Sequence, residues 1–373
     1  MDLRSLKKSH YIISTLAVGG IAFGLLNAFP QPLLDSTDNF ILLAEDQITL
    51  ASDITVSSGD VGANSKKGIL TVGSGNTLAS DLFASRITLG PNTTINGNAT
   101  FNNLTKTKDA EVLGEESKTF PSPLVDFPVV VPFQTGTEQF RTQPSETTTL
   151  QSRNFKSITT APNTTLTLEP GVYNIETLTL GNDTTVHFFG ATTINISKNA
   201  TIGNNVVFSQ PNTLPIDSIA INSTGTQLSI GTHAMTHGII TAPDATITLG
   251  QNTLHRGQVI GRHIVVGNGV ILSREEGFEK ESDESKIVEI EDGTRFFGNE
   301  LLVLLKDEAT LSDAQAIAQF VNGTITGFDP NPPLYQIELS TNDADSMIAV
   351  ISVIIDSANP LIIEAIPNLL LEF

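Results

Sequence analysis

The chain contains no cysteine and no tryptophan. A disulfide framework, a thiolate metal centre and a cysteine nucleophile are therefore excluded. Aromatic residues make up 6% of the sequence, which leaves little for a core built on large rings. Basic residues are scarce too, with 20 Lys+Arg against 40 Asp+Glu and a net charge of −20. A nucleic-acid partner needs clustered positive charge to meet phosphates. Adhesion to anionic lipid needs the same. Both classes are excluded. What the chain does have is Thr, Asn, Ile and Gly, a composition that suits short strands packed on a pleated surface.

A length of 373 residues suggests two or three domains. Arg4, Lys7, Lys8 and His10 precede an apolar run from Tyr11 to Phe29. That is the layout of a signal peptide over residues 1–30. The run is also long enough to span a bilayer, so a retained membrane anchor is the alternative. Either way the protein is expected to be exported, to an extracellular, cell-surface or periplasmic location.

From Gln47 the sequence alternates with period two, as in Ile48/Leu50, Ile54/Val56 and Leu70/Val72. Alternate residues of a strand share a face, so each pair points inward together. One phrase recurs. Ile87-Thr-Leu-Gly90, Leu178-Thr-Leu-Gly181 and Ile247-Thr-Leu-Gly250 are each followed by a polar stretch with Asn and Thr. The most regular stretch, His237–Leu272, makes two passes of the same pattern. Gly238 and Gly257 open them 19 residues apart; Ile247 and Ile264 close them 17 apart. Passes this short fit coils of a solenoid, whose stacking buries an apolar column that no single coil could bury. The expected fold class is mainly β: a right-handed parallel β-helix over 47–272, with a proline-rich insertion at about 106–149. Proline cannot donate to a sheet ladder. The apolar part of the insertion, Leu124-Val-Asp-Phe-Pro-Val-Val-Val131, is expected against the solenoid wall. Phrases such as Gly59–Thr77 and His237–Gly250 loosely resemble uncharacterised bacterial cell-surface β-helix domains, a likeness that carries no chemistry.

Residues 273–298 are dense in Glu and Asp and read as an acidic, solvated linker. The grammar then changes. Glu300–Leu305 reads as a buried strand, and Ser312-Asp-Ala-Gln315 as a capping box opening a helix. Two strands, a second helix and a last strand follow, a βαββαβ order that predicts a small α+β ferredoxin-like domain over 299–373. The wording at Asn299–Lys306, Phe320–Thr324, Leu334–Leu339 and Asn359–Asn368 resembles the propeptide of subtilisin-like serine proteases, especially the fervidolysin-like prodomain and propeptide-type inhibitors. That resemblance implies a sheet that docks on such a protease, chaperones it and inhibits it. It also implies a product-like tail, here Asn368, Leu369, Leu370, Leu371, Glu372 and Phe373, that enters the substrate cleft. No protease domain follows Phe373 in the sequence, so the module is expected either to act in trans on a separate protease or to have been reused as a binding domain.

No catalytic, cofactor or metal site emerges. Gly231-Thr-His233 matches part of a subtilase histidine motif, but no orienting Asp or nucleophilic Ser motif accompanies it. His233 and His237, four apart, would stand about 13 Å apart on a strand. His255 and His263 have nothing to complete a metal site, so the histidines read as surface or turn residues. Among the coils the acids Glu169, Glu176, Asp183, Asp217 and Asp244 are scattered. Glycoside cleavage needs them paired. The sequence therefore reads as a non-enzymatic protein without cofactors, whose C-terminal module is displayed on a scaffold. A structural cell-surface or adhesion protein is the alternative, and a polysaccharide-acting enzyme is third.

Overall fold

Period-two alternation becomes, in space, a stack of parallel rungs with three faces. The computed structural model describes residues 36–210, 215–274, 284–290, 293–306, 309, 311–330, 333–357 and 359–369. The expected signal or anchor over 1–30 lies outside them. One coil shows the plan. Gly238–Ala242 lies on a first face, Thr246–Leu249 on a second, and after a corner Leu254–Arg256 on a third. Every solenoid pairing is parallel. The inward residues, such as Ile240, Ile247, Leu249 and Ile264, are fully buried and join one apolar column that runs the length of the stack.

The recurrent phrase is the corner between the second and third faces. Asn92, Asn163, Asp183, Asn205, His233 and Asn252 occupy it with φ between 54° and 57°. Asn and Asp tolerate this left-handed backbone best among residues with a side chain. Threonine follows four of them and is buried, as with Thr93, whose Oγ1 donates to Gly73 O at 2.8 Å, and Thr253, whose Oγ1 donates to Gly231 O at 3.0 Å. The two passes of His237–Leu272 are stacked neighbours, with Gly238 on Gly257 and Ile247 on Ile264. The spacing of 19 becomes 17 because the register shifts between Ala242 and Thr246, at the corner between the first two faces. Gly257 has φ +125°, and a Cβ there would meet the carbonyl of Gly238, so the rungs approach too closely for a side chain.

Successive coils do not simply follow one another. Phe40–Leu50, the first strand, lies in the middle of the stack. From there the chain winds to one end, through Leu82–Leu89 and Ala99–Lys106 to Glu116–Ser117. It then restarts at the other end, Gln139–Arg141, and winds back. The last full coil, Leu254–Val266, pairs with Phe40–Leu50 and closes the stack at a seam. Two expected boundaries move as a result. The coils begin at Phe40, not Gln47, because Phe40–Ala44 is itself a paired strand. The insertion shrinks from 106–149 to a strap over 118–138, because Glu111–Val112, Glu116–Ser117, Gln139–Arg141 and Thr147–Leu150 all pair with coils. The strap crosses the first face. Asn64 Oδ1 accepts from the Leu124 and Val125 amides, and Leu124 packs with Phe40, Leu43 and Ile260.

The last rung ends in Ile271–Ser273, so Ser273 belongs to a coil and not to a linker. After it come β1 (Ile287–Glu289), β2 (Arg295–Leu305), α1 (Leu311–Phe320), β3 (Thr324–Pro330), β4 (Pro333–Glu338), α2 (Ala344–Asp356) and β5 (Ile362–Leu369). The strands form an antiparallel sheet in the order β5–β2–β4–β3, and β1 also pairs with β2. Strand β2 is central, and Leu301, Val303 and Leu305 are fully buried. Helix α2 starts where Asp343 caps the Ser346 amide at 2.8 Å, and it buries Met347 and Ile354.

Candidate functional site

The outward columns of the second and third faces use the same residue type and meet different fates. On the second face one column reads Arg141, Thr159, Thr179, Thr201, Ser229, Thr248, then Val265. Across the seam it continues as Thr49, Thr71, Thr88 and Thr105. Every side chain in it is half-buried or exposed. The one interruption in the run of hydroxyls, Val265, has the branched shape of threonine. The parallel column, two residues earlier on each strand, includes Ser157, Thr177, Asn199, Gln227, Thr246 and Gln47. Neither column contains an Asp or Glu, in a chain with 40 of them. Register shifts fall at the corner beside this face, not within it. We call it the threonine face.

On the third face the equivalent column reads Thr147, Thr165, Thr185, Val207, Met235, Leu254, Ile271, Thr55, Thr77, Thr94 and Glu111. Threonine gives way to apolar residues over the rungs that lead to the seam, and there the C-terminal module sits. Met235 and Leu254 belong to the module's own apolar core, with Val207 and Ile271 at its margin. The Tyr335 hydroxyl lies 3.7 Å from Met235 Sδ. Both are buried, and burial pushes the Tyr335 hydroxyl's pKa up. We call this the docking face.

Beneath it two polar residues enter the solenoid core. Thr236 Oγ1 and His255 Nδ1, on adjacent rungs, are 3.0 Å apart and fully enclosed. Burial pushes the His255 pKa down to about 4, and that of His237, which packs edge-on against Phe188 and Phe208, to about 3. Both are therefore neutral at pH 7.

The histidines divide. His233 is the corner residue the sequence suggests, with Nε2 3.1 Å from Asn252 Nδ2. His237 and His255 are not at the surface, because the module and the neighbouring coils cover them. His255 and His263 lie on one strand, on different faces. His263 is on the threonine face, 3.6 Å from Asp46. No group of His, Asp and Glu suited to hold a metal ion occurs among the described residues. The expected tail divides as well. Asn368 and Leu369 pair with Phe297 and Phe296 as the end of β5, and Asn368 Nδ2 donates to the buried Glu300 carboxylate at 2.7 Å. Neither is a free end. Leu370, Leu371, Glu372 and Phe373 lie outside the described residues.

No protein-family model matches the sequence. No curated protein is similar to it. The resemblance of residues 299–373 to subtilase propeptides therefore gains no support from those comparisons. Solved structures do match. One is an ice-binding protein from the Antarctic ascomycete Antarctomyces psychrotrophicus, at 12% identity and a TM-score of 0.28, covering 64% of this chain and 95% of that one. Another is an ice-binding protein from an Antarctic bacterium, Flavobacteriaceae, at 10% identity and a TM-score of 0.25, covering 67% of this chain and 82% of that one. At these scores neither carries an argument about this chain's chemistry, which has to come from its own faces.

The threonine face went unrecognised in the sequence because threonine occurs in nearly every strand. Only the register separates the outward column that stays bare from the one that is covered.

Proposed function

We propose that the protein is an exported, non-enzymatic, right-handed β-helix that adsorbs to ice through its threonine face. The observation that supports this reading is the hydroxyl column from Thr159 to Thr105, free of carboxylates in a chain of net charge −20. Each threonine presents a methyl group beside a hydroxyl, and its β-branch leaves few χ1 choices. Rungs are about 4.8 Å apart, and alternate residues along a strand about 6.7 Å apart. The face is thus a stiff grid in which one column is almost wholly methyl and hydroxyl groups and the other mixes hydroxyls with the amides of Asn199, Gln227 and Gln47. A soluble ligand has no use for so long a repeat; a crystal face has. Crystalline polysaccharide is the other ordered solid, and flat faces that bind it stack aromatic rings on sugar rings. Neither column holds Phe or Tyr, and Trp is absent from the chain.

The test is partition of the full chain into slowly grown ice, with thermal hysteresis as a second readout. The wild type is expected in the ice fraction. A Thr179→Arg, Thr201→Arg, Thr248→Arg variant is expected to remain in the liquid with an unchanged melting temperature. Exclusion of the wild type from ice would overturn the reading.

The module we assign to covering the docking face. A second reading of the module, as a ligand of a subtilisin-like protease, rests on the sequence resemblance alone. The pairing of Asn368 and Leu369 in β5 weighs against a free inhibitory tail. Residual subtilisin activity in the presence of the full chain tests that second reading.

A further inference from the structure

A cleft of about 570 Å³ opens where the module leaves the docking face. Its size is that of a small-ligand site. The solenoid wall carries Asp53, Thr55, Asn252 and Asn268; the module wall carries Gln319 and Thr324. Ile271 and Ile325 form an apolar floor between them. Among the described residues no Lys, Arg or His lines it, so none of them would neutralise a phosphate or a carboxylate.

We propose that this cleft binds a neutral saccharide. A sugar offers hydroxyls that both donate and accept, and a ring face of C–H groups. The cleft matches each part. Amides donate and accept, a carboxylate accepts from two hydroxyls at once, and threonine hydroxyls do either. The isoleucine floor suits the C–H face. The two asparagines are already oriented by the scaffold. Asn268 Oδ1 accepts from the Ser52 amide at 3.1 Å, which leaves its amide N–H groups for a ligand. Asn252 Nδ2 lies 3.1 Å from His233 Nε2, which leaves its carbonyl oxygen. Both sit at corners on adjacent rungs, Asn268 beside the seam, so little ordering remains to be done on binding. The site lies around a corner from the threonine face and does not depend on that face's role.

Saturation-transfer difference NMR on the full chain tests this. The probes are the methyl glycosides of glucose, galactose, mannose and N-acetylglucosamine, and the β-1,4-linked dimers of glucose and N-acetylglucosamine. At least one is expected to receive saturation. Ala316→Trp places a ring in the cleft from an exposed position on α1 and is expected to abolish the signal. Gln319→Ala, also exposed, is expected to weaken binding about tenfold, the loss of roughly one hydrogen bond. The triple arginine variant of the threonine face is expected to keep the signal in full, which separates this site from ice adsorption. Absence of a signal from every probe, or a signal that survives Ala316→Trp in a protein that melts like the wild type, would overturn the proposal.

Discussion

The threonine face and the docking face are two sides of the same coils, joined by the corners between their strands. One carries hydroxyls from Thr159 to Thr105, broken only at Val265, and stays bare. The other exchanges hydroxyls for Val207, Met235, Leu254 and Ile271 and is covered by a folded module. The difference is in side chains alone. In a parallel stack each outward column is a free choice, because the inward columns already hold the coil together. A solenoid can thus assign separate tasks to separate faces, and the boundary between tasks can be as sharp as one rung.

The comparison can be broken most forcefully on the docking face. Met235→Asp with Leu254→Asp places two carboxylates in a dry contact. We expect a loss of at least about 4 kcal/mol and release of the module. Limited proteolysis between residues 274 and 295 would detect the release, and unchanged cleavage would contradict the assignment.

A smaller effect is expected from acid. Burial holds the folded pKa of His255 at about 4, below the ordinary histidine value of 6.5. The unfolded chain takes up a proton that the native core refuses, so the stabilisation is complete above pH 6.5. It is lost as the pH falls from 6.5 towards 4, by about 3 kcal/mol for this group. Denaturant unfolding of wild type and His255→Leu, at pH 7 and pH 4.5, measures it. The variant should show the shallower pH dependence.

On the threonine face the expectation is reversed, with a large change in activity and almost none in stability. Arg at Thr179, Thr201 and Thr248 should move the melting temperature by no more than about 2 °C, since exposed substitutions cost within about 0.5 kcal/mol each. Val265→Thr completes the hydroxyl column and should be the mildest change of all, with stability equal within about 0.5 kcal/mol and ice partition equal or stronger. Weaker partition would mean that the methyl groups, not the hydroxyls, carry the contact.

Much of this was legible in the sequence at the level of one coil. Asn and Asp at the corners, the buried threonine after them, and Gly238 stacked on Gly257 follow from local conformational limits that a short phrase displays. From β2 onward the module's order of elements was legible for the same reason, since capping residues and alternation are local, but β1 and the start of β2 fall in the stretch expected as linker. What lies between coils was not. Leu50 and Val266 are direct neighbours across the seam, yet nothing in either strand distinguishes this partner from any other apolar–polar alternation. The faces were hidden with it, because Thr49 joins the column of Val265 only once that pairing is known. Likewise, Met235 and Leu254 look like core residues on paper. They are core residues, but of the module's core and not the solenoid's.

The placement of Phe40–Leu50 in the middle of the stack has a consequence for synthesis. This strand emerges first, and it must keep one edge bare until Leu254–Val266 follows some 200 residues later. A bare strand edge invites pairing with other chains. A nascent chain that pauses before the final coil therefore carries an open template through most of its growth. Its earliest step of assembly cannot be completed until one of its latest.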